Sequence, residues 1–467
     1  MLGCTVGEPP ILYRKMIEVN AMKQKFYGGV HPAEHKELAE HKAIEQLSKA
    51  PAQVVIPMNQ HLGAPCKPIV AKGDVVTVGQ KIGEITGLGA PVHASVSGTV
   101  VAVEPRPNTN GGKVMSVVIE NDFQNTICPD CKPCENVDAL TPDEVVNIVK
   151  EAGITGMGGA GFPTHVKLSS AIGKVDTIIL NGAECEPYIT SDHRLMLEQG
   201  ERVIGGAKIL MKALGLNKVY IGVEANKPDA IENLNKLSAD DACVEVVSLK
   251  TRYPQGAEKQ LIQRITDREV PPGGLPAHVG CCVFNVATAA AVYDAVVKGM
   301  PLVSRITTVT GKGIVEPKNL EVPLGVGFDY LIEECGGLTT DCTRVIAGGP
   351  MMGFAQAQVD VPVGKAQNCV LCFSAAEMPA VDPNPTCIRC AKCVNVCPMH
   401  LTPVYMNLYA GKRNWHEVEG LNVMDCIECG SCQYICPARI PLVQMFRTAK
   451  GEIRNLQAAA KAKEAAK

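Results

Sequence analysis

The sequence has few aromatic residues and no long apolar run, and each shortage excludes a class of function. Aromatic side chains make up 4% of its 467 residues, too few for a surface on which nucleic-acid bases stack. No stretch of about 18 apolar residues occurs, so we expect no transmembrane segment. The first 15 residues lack the apolar core of a secretion signal. A net charge of −3 gives no basic excess for nucleic acid. These absences favour a cytoplasmic protein that binds no nucleic acid.

Cysteine and glycine, in contrast, are abundant. The chain contains 21 cysteines and 44 glycines, and it is long enough to require several domains. Many of the cysteines stand in Cys-x-x-Cys units in a large chain, which differs from the pattern of small secreted proteins. This arrangement favours metal or redox chemistry over structural disulfides.

Two cysteine runs near the C-terminus share one spacing, with cysteines at the first, fourth, seventh and eleventh positions and a proline next. Three thiolates at this spacing hold one [4Fe–4S] cluster, and the last cysteine ligates the other cluster. The prediction is therefore cluster 1, held by Cys387, Cys390, Cys393 and Cys436, and cluster 2, held by Cys426, Cys429, Cys432 and Cys397. Zinc sites are the alternative, but zinc needs only four ligands and not this repeated pattern of eight.

A glycine-rich loop at 156–161 is the second feature. Its glycines lack Cβ atoms, so the backbone can press against a flat or anionic ligand. Pro163 and Thr164 predict the start of a helix whose first amides would face a phosphate, and Lys167 adds a positive charge. We interpret the loop as a flavin nucleotide site. The loop formally matches G-x-G-x-x-G, but that motif requires a preceding strand. A helix is predicted there, so a Rossmann site is disfavoured, and a glycine turn without a ligand stays an alternative.

The segments around this loop predict two kinds of domain. Thr141 and Glu144 form a capping box for a helix at 142–152. Strands are predicted at 176–180, 218–223 and 244–249, and helices at 201–214, 229–237, 255–266 and 286–298. Such alternation indicates a mainly parallel sheet covered on both faces. Residues 26–122 instead show short alternating runs typical of a small β unit. This unit resembles a biotinyl or lipoyl domain, but it has no lysine beside His93, so we interpret it as scaffold.

Longer segments resemble known redox proteins. Residues 156–167 and 181–187 look like the flavin segments of the NADH-binding flavoprotein subunit of respiratory complex I. Segments at 28–32, 152–154, 253–261 and 271–276 resemble the RnfC family, the C subunits of the Rnf ion-translocating ferredoxin:NAD oxidoreductase, and the resemblance covers about residues 26–445. It implies a multidomain α/β plus β protein. The expected parts are a barrel-sandwich-hybrid N-domain, a complex-I-type FMN-binding α/β domain, a β-grasp (SLBB) domain and an α-helical two-cluster ferredoxin domain.

The same resemblance implies domain boundaries. They are an N-terminal arm at 1–25, the β-sandwich at 26–122, a cysteine-containing linker at 123–141, the FMN- and NADH-binding domain at 142–303, the SLBB domain at 304–350, a linker with a Cys-x-x-Cys unit at 351–384, the ferredoxin-type domain at 385–447 and a solvated tail at 448–467.

The resemblance also implies site residues. The FMN contacts would be Gly156, Gly158, Gly159, Gly161, Lys167, Asn181, Asn285 and Thr288. Near the flavin and the nicotinamide would lie Glu184, Glu186, Gly256 and Glu258, with Phe162 suited to stacking on NADH. Complex I has an aspartate where this chain has Ala183, so one polar flavin contact is missing or replaced. No catalytic acid or base is required beyond positioning of the flavin.

Further cysteines depart from the Rnf pattern. They are Cys128, Cys131 and Cys134, the adjacent pair Cys281 and Cys282, and the pair Cys369 and Cys372. A Cys-x-x-Cys unit can be a redox dithiol, half of a metal site or an accident. Two hypotheses stay open beside buried reduced thiols. Either Cys369 and Cys372 form a redox-active dithiol, or the spaced sets hold a third cluster or metal ion.

Together these features predict an NADH-oxidising iron–sulfur flavoprotein, an electron-transfer oxidoreductase of diaphorase type that works within a complex. NADH gives two electrons at once whereas clusters accept one, so FMN stands between NAD(H) and the two [4Fe–4S] clusters. The extra cysteines favour a soluble acceptor such as proline reductase, as for the proline-reductase-associated electron-transfer protein of anaerobes. One alternative is the peripheral NAD(H)-binding RnfC protein on the cytoplasmic face of a membrane Rnf complex, with the other Rnf subunits as partners. Another is a ferredoxin-like carrier whose flavin domain is only a docking scaffold.

Overall fold

The computed structural model describes residues 26–378 and 382–465. The predicted arm at 1–25 therefore lies outside the described residues. Short 3-10 helices are found at Lys36–Leu38, Val137–Ala139, Pro276–Val279, Ala375–Glu377 and Val423–Asp425. None of the helices within the described ranges has the length and apolar character needed to cross a membrane.

The N-terminal part is built from short strands. They are β1 (Ile44–Gln46), β2 (Gln53–Pro57), β3 (Lys67–Pro68), β4 (Val75–Val76), β5 (Lys81–Glu84), β6 (Val92–His93), β7 (Gly98–Pro107) and β8 (Lys113–Asn121). Two sheets form, in the orders β2-β8-β7-β4 and β3-β5-β6. Alternation along β2 turns Val54 and Ile56 into the apolar core between them. His93 is buried at 4% exposure rather than presented at a hairpin tip.

An α/β unit follows, with a parallel sheet in the order β11-β10-β9-β12. Its elements are α1 (Pro142–Glu151), α2 (Thr164–Ala171), β9 (Thr177–Gly182), α3 (Ser191–Glu198), α4 (Gly200–Leu214), β10 (Val219–Glu224), α5 (Pro228–Leu237), β11 (Val244–Leu249), α6 (Glu258–Thr266), β12 (Cys281–Asn285) and α7 (Val286–Val297). Separate apolar clusters cover the two faces of the sheet. The expected parallel sheet and the Thr141 capping box of α1 are confirmed. The sequence reasoning missed β12 and α3, and α6 begins at Glu258 because 253–257 form a turn.

A six-stranded sheet comes next, in the order β1-β14-β13-β17-β15-β16. Its further elements are β13 (Ser304–Thr310), β14 (Lys318–Pro323), α8 (Phe328–Glu334), β15 (Cys342–Ala347), β16 (Phe354–Gln356) and β17 (Cys369–Ser374). Two predicted boundaries are wrong. The segment at 351–384 is not a linker, because β17 is a buried central strand between β13 and β15. The domain also exceeds 304–350 at its other edge, where β1 pairs in parallel with β14.

Four short helices and one long helix make up the C-terminal unit. They are α9 (Lys392–Asn395), α10 (Pro403–Gly411), α11 (Trp415–Gly420), α12 (Ser431–Tyr434) and α13 (Leu442–Ala465). The first half of α13 packs into this unit, with Ala449 and Ile453 at 0% and 1% exposure. The predicted solvated tail at 448–467 is therefore wrong for its first residues, because they complete the apolar core. Residues 454–464 are exposed.

Candidate redox site

A cavity of about 480 Å³ lies beside the carboxyl ends of β9 and β12, where open parallel sheets bind ligands. Its volume is in the range of small-molecule and cofactor pockets. Every residue predicted to contact the flavin or the nicotinamide lines it, namely Gly156, Gly158, Gly159, Gly161, Phe162, Lys167, Asn181, Glu184, Glu186, Gly256, Glu258, Asn285 and Thr288. Further lining residues include Asp192, Tyr253, Met352 and Ile427, which sequence reasoning did not select, and Cys429, which it assigned only to cluster 2.

The glycine loop forms a tight hairpin at one wall of this cavity. The Gly156 amide donates to the Phe162 carbonyl at 2.9 Å, and the Met157 amide donates to Thr288 Oγ1 at 2.9 Å. A Cβ at Gly158 would stand 2.6 Å from Asn285 Nδ2, whereas one at Gly159 would meet nothing within 4 Å. The loop therefore packs tightly on its inner side and leaves space on its cavity side, which fits a flat ligand.

The start of helix α2 is arranged differently from the expectation. The Thr164 amide donates to the Ile154 carbonyl at 3.0 Å, so it is not free for a phosphate. Lys167 Nζ contacts Glu258 Oε1 and the Val283 carbonyl, both at 2.8 Å. Lys167 thus reaches the cavity with its charge already balanced by Glu258.

Two asparagines at the carboxyl ends of β9 and β12 bond to neighbouring segments at the cavity. Asn181 Nδ2 donates to the Gly256 carbonyl at 2.8 Å. The Asn285 side chain caps helix α7 by accepting from the Ala287 amide, and its Nδ2 donates to Asp192 Oδ2 at 2.6 Å. Both side chains therefore hold neighbouring elements in place as well as facing the cavity.

The two predicted acids hold backbone segments around the cavity. Glu184 accepts from the Asp192 amide at 2.6 Å and the His193 amide at 3.2 Å, at the start of α3. Glu186 accepts from the amides of Met351 and Met352, at 3.2 and 2.9 Å. Burial raises the pKa of Glu184 and that of Glu186 to about 7. These carboxyls can therefore change protonation near neutral pH.

Two buried lysines support the segment between β9 and α3. Lys36 Nζ donates to the carbonyls of Glu184 and Glu186 at 3.0 and 3.1 Å, and also to that of Ile189. Lys227 Nζ donates to the Ala183 carbonyl at 2.8 Å. The carbonyls that these lysines contact lie 148 to 153 residues from Lys36 and 44 residues from Lys227, so no local pattern predicts these bonds.

The cluster cysteines come together in the predicted sets. One small cavity is lined by Cys387, Cys390, Cys393 and Cys436, and a second by Cys397, Cys426, Cys429 and Cys432. The last cysteine of each run thus crosses to the opposite set. Four thiols around each cavity fit [4Fe–4S] clusters, and ligation by these residues stays a prediction.

The cavity of cluster 2 adjoins the flavin cavity. Cys429 lines both, and Ile427 lies beside it in both walls. Cluster 1 is closer to solvent, since Cys387 and Cys390 are exposed. The order in space is therefore flavin cavity, cluster 2, cluster 1.

The proposed dithiol of Cys369 and Cys372 is wrong. Both cysteines lie on strand β17, where three residues span about 10 Å, beyond the reach of about 7 Å between Cα atoms that a disulfide allows. Their side chains face opposite ways, since Cys369 packs with Tyr188 and Ile189 while Cys372 packs with Leu331. The same geometry prevents them from sharing a third cluster. Burial raises the pKa of both thiols.

The remaining extra cysteines are the adjacent pair in β12 and the spaced set at 128–134. Cys281 and Cys282 face opposite sides of the sheet. Burial and the neighbouring Cys128 raise the pKa of Cys131 to about 11. Across residues 26–378 and 382–465, no group of three or more Cys, His, Asp or Glu is arranged to hold one metal ion. The possible extra site at Cys128, Cys131 and Cys134 stays a prediction, because a four-iron cluster spreads its thiolates over separate iron atoms and does not require one shared ion position.

Comparison with known proteins bears on these observations. Family models match in four places: the RnfC barrel sandwich hybrid domain at 24–124, the Nuo51 FMN-binding domain at 149–294, the SLBB domain at 306–355 and a 4Fe-4S dicluster domain at 379–437. The chain is 50% identical over 437 residues to the C subunit of the Na(+)-translocating ferredoxin:NAD(+) oxidoreductase complex of Acetobacterium woodii, covering 93% of this chain and 98% of the relative. The chain belongs to the RnfC family.

The chain is also similar to other members of the RnfC family. The C subunit of the proton-translocating ferredoxin:NAD(+) oxidoreductase complex of Clostridium ljungdahlii is 46% identical, with 93% of this chain and 95% of the relative covered. The C subunit of the ion-translocating oxidoreductase complex of Pseudomonas aeruginosa is 43% identical, with 92% and 56% covered. A NAD+-reducing [NiFe]-hydrogenase structure in the air-oxidized state has a TM-score of 0.47 at 18% identity, with 62% of this chain and 60% of that chain covered.

These matches confirm the predicted fold class and the oxidoreductase class, with FMN and [4Fe–4S] as cofactors. They also correct the preferred partner. Nothing in them supports a soluble proline reductase, and membership of the RnfC family favours the alternative that we gave, a component of an Rnf complex.

Proposed function

We propose that this protein is the peripheral RnfC component of a membrane Rnf ferredoxin:NAD oxidoreductase and exchanges electrons with NAD(H) on its cytoplasmic face. Its partners would be the other Rnf subunits. The single observation that carries the proposal is the position of Cys429, which lines both the flavin cavity and the cavity of cluster 2. Membership of the RnfC family supports the partner assignment.

Residues of this chain would hold the groups that the proposal requires. The glycine loop, Lys167, Asn181, Asn285 and Thr288 would bind FMN. When bound, FMN supplies the exchange between the two-electron hydride chemistry of NADH and the one-electron chemistry of the clusters. The protein would contribute the position of the flavin, and Glu186 and Glu184 would supply carboxyls that can exchange protons near neutral pH.

The test uses the whole chain purified without oxygen. NADH should bleach the visible absorbance of the flavin and support reduction of an artificial dye. Iron analysis should give about eight iron atoms per chain. Protein with full iron content, no flavin and no reaction with NADH would overturn the proposal and favour a ferredoxin-like carrier with a scaffold domain. Co-purification with the membrane subunits from co-expressing cells, and not from cells expressing this chain alone, would support the partner assignment.

A further inference from the structure

Residues 26–30 pass between the α/β unit and the C-terminal unit; we call this segment the clamp. On one side the Gly29 amide donates to the Val396 carbonyl at 2.8 Å. On the other side Val30 and Tyr253 exchange backbone hydrogen bonds of 2.8 and 3.0 Å. One short segment therefore bonds to both units.

The clamp leaves no space for side chains at its two glycines. A Cβ at Gly28 would lie 2.8 Å from the backbone of Cys397, and one at Gly29 would lie 2.6 Å from the Tyr253 carbonyl oxygen. Both glycines have positive φ, +72° and +77°, which other residues adopt only with strain. The backbones on either side thus approach more closely than a side chain at either position would allow.

The two sides of the clamp belong to the two redox sites. Cys397 is a predicted ligand of cluster 2 and lines its cavity. Tyr253 is 2% exposed, lines the flavin cavity and packs against Cys429. A shift of the clamp would therefore move the wall of one cavity relative to the other.

Side chains anchor the clamp at its N-terminal end. The Tyr27 ring stacks on His400, with 4.4 Å between ring centroids. Arg252 donates to the Phe26 carbonyl at 3.1 Å and covers the Phe26 ring. His400 lies three residues after Cys397, so this stack also joins the clamp to the segment that carries a cluster ligand.

We propose that Gly28 and Gly29 are positioning residues that set the spacing between the flavin and cluster 2 and so the rate of electron transfer between them. The inference rests on the proposed function. In this transfer one NADH would give a hydride, which is two electrons and one proton. Each of the two clusters would gain one of the electrons, and the proton would be released to solvent. The clamp takes part in no bond change.

The test compares Gly28→Ala with Gly173→Ala. Gly173 has nearly the same φ, +71°, but its Cβ would meet nothing within 4 Å, so this control reproduces the backbone strain without the contact. After mixing with NADH, flavin bleaching should keep its rate in both variants. Reduction of the clusters, followed by rapid-freeze EPR, should slow about tenfold in Gly28→Ala, because electron transfer requires fixed positions, and should stay unchanged in Gly173→Ala.

Amide hydrogen exchange at Val30 and Tyr253 gives a readout that does not depend on activity. It should accelerate in Gly28→Ala and stay unchanged in Gly173→Ala. Faster exchange with an unchanged rate of cluster reduction would overturn the inference. Wild-type protein whose flavin NADH does not bleach would instead contradict the proposed function.

A second variant covers the case in which Gly28→Ala fails to assemble its clusters. Tyr27 is half-exposed, so Tyr27→Ala removes the stack on His400 without inserting any atom. This variant should keep its iron and flavin, exchange its Val30 amide faster and reduce its clusters more slowly. Full iron, faster exchange and an unchanged rate of cluster reduction in Tyr27→Ala would overturn the inference.

Discussion

Glu186 holds a backbone segment in place and also carries a carboxyl with a raised pKa at the flavin cavity. Its carboxylate accepts from two amides of the segment at 349–353, and it lines the flavin cavity. Burial raises its pKa from 4.5 to about 7. The folded protein therefore binds its proton more tightly than the unfolded chain does, and ionising it in the folded state costs free energy.

Replacing Glu186 by Gln should reduce the dependence of stability on pH. The stability that the protonated Glu186 contributes to the folded state is fully present below about pH 4.5 and is lost as the pH rises through about 7. At pH 8 the free energy of unfolding of Glu186→Gln should therefore exceed that of the wild type by up to about 3 kcal/mol, and the variant should unfold at a higher temperature. At pH 5 the difference should be smaller. Thermal denaturation at both values measures this. Glu120→Gln, at an exposed position of β8, is the control, and an equal change in both variants would contradict the argument.

The buried lysines show what local sequence patterns could not reveal. Lys36 and the Glu184 carbonyl that it contacts lie 148 residues apart. No periodicity or motif relates positions at that distance, because only tertiary folding brings them together. Cysteine spacing, in contrast, predicts the clusters, because three of the four predicted ligands of each cluster lie within seven residues of sequence. Cys369 and Cys372 resembled redox residues in spacing but pack as small apolar side chains.

The segment between β9 and α3 is an element without regular structure that shapes the cavity. It contains two predicted site acids, and its carbonyls accept three hydrogen bonds from Lys36 and one from Lys227. These bonds replace the strand or helix partners that a buried backbone otherwise requires. The shape of one cavity wall therefore depends on Lys36.

Lys36→Met should weaken FMN binding, by about tenfold or more, because three buried carbonyls lose their donor and the segment relaxes. The dissociation constant can be measured by quenching of flavin fluorescence on titration into flavin-free protein. Lys42→Met is the matched control, since Lys42 also donates to a carbonyl, that of Pro317 at 2.8 Å, but at an exposed position. Equal affinities in the two variants would show that the segment keeps its shape without Lys36.

Helices and strands could be predicted where the apolar residues recur at the spacing of one type of secondary structure. The capping box and the apolar pattern of α1, and the alternating strands and helices of the α/β unit, lie close to their predicted places. Strand β17 was missed because its apolar run, bounded by two cysteines, was interpreted as chemistry in a linker. Strand β1 was missed because its partner, β14, is more than 270 residues away, and pairing at that range leaves no local pattern.

At the scale of the whole molecule, the domains meet around the redox site. Lys365, in the connection before β17, donates to the Pro91 carbonyl of the N-terminal unit at 2.6 Å and to the Gly153 carbonyl of the α/β unit at 2.7 Å. Burial lowers its pKa to about 7. Lys365 thus ties the N-terminal unit to the segment that leads into the glycine loop.

The spatial order of the two clusters predicts how electrons divide when one cluster is absent. Cys429→Ala should remove cluster 2, so NADH would still bleach the flavin but cluster 1 would stay oxidised, because its cavity does not adjoin that of the flavin. Cys387→Ala should remove cluster 1 and leave reduction of cluster 2 by NADH intact. EPR after NADH addition distinguishes the variants, and dithionite, which reduces the remaining cluster directly, is the control in each. Rapid reduction of cluster 1 by NADH in Cys429→Ala would contradict the order flavin, cluster 2, cluster 1, and would require a second route to the exposed cluster.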